Sequence, residues 1–184
     1  MICTTLNRIR EHKPCQDDWE KLLNHLGKTQ ADDEPLPYSV IVESNGLDDA
    51  LWCCRAEPQY AKEWRLFAVW CARQVQYLMI DKRSLDAIDV AEKFANGLAT
   101  EVELTSVQKA AWAATEDVAE EAVWEFAWTA AEVTAEDATG DVAWDTARAA
   151  ARVATGVAVR DAIKALQTKK FLEIVGGESC TTKC

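Results

Sequence analysis

Histidine is nearly missing from this chain: His12 and His25 are the only two among 184 residues. No Ser/His/Asp or Cys/His set with a supporting frame can be drawn from so few, and no Glu-x-x-His di-iron ligands occur in the acidic region. Glycine is also scarce, at seven residues. There is no glycine-rich loop, no G-x-G-x-x-G and no complete G-x-x-x-x-G-K-[S/T], so no nucleotide-binding signature is present. No window approaches the ~20 consecutive apolar residues that a membrane-spanning helix needs. The opening MICTTLNRIREHKPC lacks the apolar stretch of a secretory leader. These absences lead us to expect a cytoplasmic protein, or one of the host cytoplasm if phage-encoded, with no metal, no cofactor and no catalytic set.

Bases are missing where acids are dense. Residues 101–145 hold twelve acids and a single base, Lys109, whereas residues 146–184 hold seven bases and three acids. The formal charge of the whole chain is −11. Duplex nucleic acid is disfavoured as a direct partner, because phosphates are neutralised by Lys and Arg. A basic protein, or one that itself binds nucleic acid, fits better. The plainer reading is that the acids keep an Ala- and Trp-rich helical chain in solution.

Cysteine is present in odd number: Cys3, Cys15, Cys53, Cys54, Cys71, Cys180 and Cys184. Without a leader, these read as free thiols of a reducing compartment. Cys180-x-x-x-Cys184 follows Gly176-Gly177 and is a poor match to zinc spacing, so residues 176–184 are expected to be a flexible tail. Cys71 falls in an apolar helical stripe and reads as a small buried hydrophobe.

The dominant pattern is a four-residue repeat over residues 110–163. Its third position runs Trp112, Glu116, Glu120, Trp124, Trp128, Glu132, Glu136, Gly140, Trp144, Arg148, Arg152, Gly156, Arg160. A lane of period four drifts ~40° per repeat on an α-helix, so Trp112 to Trp144 would spread over roughly 320°. One helix over 101–171 would also exceed ~100 Å, against a radius of gyration of ~16 Å for a compact domain of this length. The repeat therefore predicts several helices, near 101–115, 117–138, 141–154 and 157–171, with breaks at Gly140 and Gly156.

Upstream, Asp17-Asp18 is expected to cap a short helix carrying Trp19, Leu22, Leu23 and Leu26 on one face, with Gly27 at its end. Residues 28–37 read as a polar loop. Tyr38–Ser44 is β-branched but has no strand to pair with, so a helical turn is expected, then a stop at Asn45-Gly46 and a helix over Leu47–Ala56. Ala61–Met79 is the clearest helix, with Trp64, Phe67, Ala68, Cys71, Val75 and Leu78 at 3,4 spacing. Ser84–Asn96 is another, its apolar side drawn from Leu85, Ile88, Ala91, Phe94 and Ala95. Thr100-x-x-Glu103 is a capping box that starts the next. Residues 1–16 are weakly patterned.

The fold class is all-α, a multi-helix bundle or a stack of antiparallel helices. Residues 1–100 form an N-terminal helical part, with the repeat part, 101–175, packed on it in one compact domain.

Two candidate sites follow. The first is an acidic face for a partner, formed by Glu116, Asp117, Glu120, Glu121, Glu125, Glu132 and Glu136, whose i,i+4 pairs share helix faces. The second is a nucleotide or aromatic ligand pocket lined by Trp124, Trp128, Trp144, Arg148 and Arg152, since Trp stacks bases and Arg contacts phosphate. The plainer readings are a solvated face for the acids and gap-filling between alanines for the tryptophans. Exposed apolar stripes leave room for a homodimer.

The stretch WCARQVQYLMIDKRSLDAIDVAEKFANGLATEVEL (Trp70–Leu104), the Ala/Trp repeat, and Val42–Cys53 (VESNGLDDALWC) together resemble a family of helical immunity proteins of phages, prophages and bacteria. The match covers about residues 40–163, and Gly140 and Gly156 depart from the family's usual Ala or charge. The resemblance implies a small acidic protein that neutralises a toxin, a nuclease or a defence component. It carries no defined site residues.

Overall fold

The computed structural model describes residues 1–79, 81–116 and 157–177. Among these the protein is all-α, with eight α-helices and one two-residue ladder. The helices are α1 (Leu6–Glu11), α2 (Gln16–Leu26), α3 (Tyr38–Asn45), α4 (Leu47–Cys53), α5 (Ala61–Val75), α6 (Lys82–Ala95), α7 (Glu101–Glu116) and α8 (Val157–Gly176). The expected helices over 117–138 and 141–154 lie outside the described residues.

The weakly patterned start turns out to be structured. Cys3–Thr4 (β1) pairs antiparallel with Leu36–Pro37 (β2), in the register Cys3↔Pro37 and Thr4↔Leu36. Sequence reading missed both strands because two residues show no alternation. The same segment is held from the other side: Ile2 N–H donates to the Val175 carbonyl at 2.7 Å, and the Met1 amine to the Gly177 carbonyl. Gly176 therefore closes α8 rather than opening a tail, and residues 178–184 lie outside the described set.

Helix α2 starts ahead of the expected Asp17-Asp18 cap: Cys15 stands at the cap position without a side-chain cap bond, and both aspartates lie in the first turn. Its apolar face forms as the pattern predicts, with Leu22 and Leu23 buried and Trp19 and Leu26 half-buried. Gly27 at φ 66° lets Gly27 N–H reach the Asn24 carbonyl and Lys28 N–H the Leu23 carbonyl, a Schellman closure. Gly27-Lys28-Thr29 ends like a phosphate loop, but it leaves a helix instead of entering one. Lys28 is engaged by Asp32 and Glu34 at 2.5 and 2.6 Å. Tyr38–Asn45 is a helix, as expected. Gly46, at φ 97°, joins α3 to α4 through a backbone that a side chain would strain.

Helix α5 buries Trp64, Phe67, Ala68, Cys71 and Val75 at the spacing read from sequence, and Ala72, Val69 and Arg65 besides. It stops at Val75 and tightens into a 3-10 turn over Gln76–Leu78, short of the expected Met79. Helix α6 begins at Lys82, ahead of the expected Ser84, because Asp81 is the cap: its Oδ1 accepts from Arg83 N–H at 2.8 Å. The buried stripe of α6 is Ser84, Ala87, Ile88 and Ala91, while Leu85 and Phe94 are only half-buried. The small residues win the inner face because α7 folds back along α6 and presents Leu104, Ala111 and Ala114 to the interior. The capping box at the head of α7 is reciprocal: Thr100 N–H donates to Glu103 Oε2 at 2.7 Å, and Glu103 N–H to Thr100 Oγ1 at 3.3 Å.

Helices α3, α5 and α8 converge on four aromatic rings, all fully buried. Phe171 of α8 sits 6.0 Å from Tyr38, 6.1 Å from Trp64 and 5.5 Å from Phe67, and Tyr38 lies 5.5 Å from Trp64. The polar tips are satisfied: the Tyr38 hydroxyl donates to the Cys53 carbonyl at 2.9 Å and the Trp64 indole to the Glu57 carbonyl at 3.1 Å. Phe171→Ala should cost about 3–5 kcal/mol in urea unfolding, as removal of a fully buried ring does. Trp112→Ala, at a half-buried position, should cost clearly less. Equal losses would overturn this picture of the core.

Candidate functional site

Neither sequence-derived site can be placed in full. Glu116 is the last residue of α7. Asp117, Glu120, Glu121, Glu125, Glu132 and Glu136 lie outside the described residues. So do Trp124, Trp128, Trp144, Arg148 and Arg152. Both flanks of that stretch are anchored in the core: α7 through Leu104 and Ala111, and α8 through Phe171 and Val175. The remaining tryptophans follow the packing expectation. Trp64 is fully buried, and Trp19, Trp52, Trp70 and Trp112 are half-buried against the core.

The described residues contain one constellation that sequence reading did not assemble. Cys15, Asp18, Trp19 and Leu22 share a face of α2 at i, i+3, i+4 and i+7. Asp48, Asp49 and Trp52 share a face of α4 at the same kind of spacing. The two faces meet across a cleft of about 240 Å³. Ile9, Leu22 and Cys53 add apolar lining, and the three carboxylates belong to the same cleft. Asn45 couples the helices, since its amide donates to the Asp18 carbonyl and to Asp49 Oδ2, both at 2.8 Å. Burial pushes the Asp49 carboxyl above the usual range, and Asp18 and Asp48 add to this, while the Asn45 hydrogen bond and Lys21 pull the other way. The sequence signal was the Asp-Trp pair on α2 and the Asp-Asp…Trp on α4. What hid it was the separation of some thirty residues, bridged by the loop that Lys28, Asp32 and Glu34 hold in shape.

A second polar feature lies in the core. Glu57 is fully buried, and its Oε2 accepts from Arg8 and Gln59. Its Oε1 has no partner among the described residues. The pair ties α1 to the turn before α5. Arg73 clamps α5 to α6 through Asp89 at 2.8 Å and Glu92 at 2.5 Å. Such part-exposed pairs contribute about 0–1 kcal/mol each. Among the described residues no group of His, Cys, Asp and Glu could hold a metal ion, and no helix is long and apolar enough to cross a membrane.

No protein-family model matches the chain, and no curated protein or solved structure is significantly similar to it. The site must therefore be read from its own chemistry.

Among the described residues Cys15, Cys53, Cys54 and Cys71 form no disulfide. Burial pushes Cys53 up to about 12 and raises Cys54 and Cys71 as well, with Gln167 pulling Cys71 partly back. A thiol held protonated is a poor nucleophile. In the native protein, maleimide should label exposed Cys15 quickly and leave Cys53, Cys54 and Cys71 unmodified until denaturant is added, as read by peptide mass mapping. Native labelling of Cys71 at the rate of Cys15 would contradict this burial.

Proposed function

We propose that this chain is a non-enzymatic binding protein that neutralises a basic target protein, in the manner of an immunity or anti-defence inhibitor. The observation that carries the reading is the segregation of charge. Residues 101–145 hold twelve acids against one base, a net charge equal to that of the whole chain. Nine of these acids lie between α7 and α8, two helices with residues buried in the described core. A stretch of one sign held at both ends is suited to steering an oppositely charged partner into register. Toxins, nucleases and defence components that handle nucleic acid present such basic surfaces, and rows of carboxylates can occupy a phosphate channel by mimicry. The resemblance of Val42–Cys53, Trp70–Leu104 and the repeat to phage and bacterial immunity proteins points to the same class.

The test is a pull-down from host lysate with the full chain across a salt series, alongside a variant carrying Glu116→Lys, Glu120→Lys, Glu121→Lys and Glu125→Lys. The partner should be a basic protein whose recovery falls steeply with salt, and the variant should recover it several-fold less while keeping its helical circular dichroism. Undiminished recovery by the folded variant would remove the acidic segment from the interaction.

A further inference from the structure

The cleft between α2 and α4 carries chemistry of its own. Its volume of about 240 Å³ is below the ~300–1,000 Å³ of sites for drug-sized ligands, and suits something the size of one aliphatic side chain. Two indoles and an apolar lining of Ile9, Leu22 and Cys53 accommodate methylenes. Three carboxylates, Asp18, Asp48 and Asp49, belong to the same cleft, and none of its lining residues is basic. An anion is repelled by this set. A neutral apolar molecule would fill the cleft while adding no positive charge to its three carboxylates, which Lys21 near Asp49 and Lys164 at Asp48 balance only in part. Asp49's oxygens do not gather with enough other ligating groups to hold a metal.

Groups of the cleft already hold cations. The Arg55 guanidinium lies over the Trp52 ring at 4.2 Å from its centroid, and the Lys164 ammonium reaches Asp48 at 3.3 Å from α8. Both are contacts that an indole and a carboxylate make with positive groups. The coupling of the two helices through Asn45 sets both walls before any ligand arrives, which limits the ordering cost of binding.

We propose that this cleft binds an alkylammonium group, with the methylenes lying against Trp19, Trp52 and Leu22 and the charge answered by Asp18 and Asp49. The chemistry is that of a lysine side chain or of a free aliphatic amine. It is independent of the acidic segment 116–145, and either can fail without the other.

Indole N–H resonances of the full chain, observed by NMR and assigned through Trp19→Phe and Trp52→Phe, report on the two walls separately from the other six tryptophans. Titration with n-butylammonium chloride should shift the Trp19 and Trp52 signals saturably, and 1-butanol at the same concentrations should act far more weakly. Asp18→Asn and Asp49→Asn should each weaken butylammonium binding roughly threefold to tenfold, the range for loss of one charged partner. Asp48→Asn, at an exposed position, supplies a variant whose folding is not at stake and should weaken it in the same direction. A capped peptide with a single lysine separates the sources: shifts with amine and peptide alike indicate a protein side chain, and shifts with the amine alone indicate a free amine. No saturable shift, an equal response to 1-butanol, or full affinity in natively dispersed Asp18→Asn and Asp49→Asn variants would overturn the proposal.

Discussion

Four aromatic rings hold the described parts of this protein in one arrangement. Tyr38, Trp64, Phe67 and Phe171 come from α3, from two positions on α5 and from α8, and each is removed from solvent. Because the rings meet edge-to-face, tilted or, for Trp64 and Phe171, stacked, with centroid spacings of 5.5–6.1 Å, moving any one helix would break several contacts at once. The knot also explains why residues nearly the whole chain apart can hydrogen-bond. With Phe171 seated, α8 ends beside the first strand, and the Ile2 amide meets the Val175 carbonyl. The two-residue ladder of β1 and β2 follows from that placement, since it would have no independent stability.

Around the knot, polar groups are used to fix angles between short elements. Tyr38 turns its hydroxyl onto the Cys53 carbonyl at the end of α4, and Trp64 its indole N–H onto the Glu57 carbonyl in the segment that links α4 to α5. Glu57, in the same segment, receives Arg8 from α1. Asn45 fastens α2 to α4 and leaves between them a cleft with indole walls and carboxylates among its lining groups. The rigidity that the core requires thus also shapes the cleft, and the proposed alkylammonium site needs no further device to keep its walls apart. The charge-dense segment between α7 and α8 is a different kind of resource. Its chemistry lies in the sign and density of its side chains, and the core's contribution is to anchor both flanks.

Much of the helical layout was legible because its determinants are local. The 3,4 spacing of Trp64, Phe67, Ala68, Cys71 and Val75 marks a buried helix face wherever the helix sits. Thr100 and Glu103 cap α7 using only atoms within one turn, and Gly27 closes α2 in the same way. The errors fall where a distant partner decides. Leu85 and Phe94 looked like the inner face of α6, but close approach of α7 favours Ala87 and Ala91, so the helix is rotated toward its small residues. Phe171 carried no sequence mark that separated it from an ordinary apolar residue near a helix end, yet it is the ring on which the others converge.

The sequence by itself determined the helical class, most helix starts and stops, the burial of Cys71 and the concentration of negative charge in residues 101–145. These depend on neighbours a few positions away, or on composition alone. Only the tertiary structure decided that the first residues form a strand, that α8 runs on to meet them, and that Asp18 and Trp19 face Asp48, Asp49 and Trp52. Those outcomes depend on which faces pack together over long separations, a choice made by the fit of whole aromatic and alanine surfaces that no single stretch of the chain encodes.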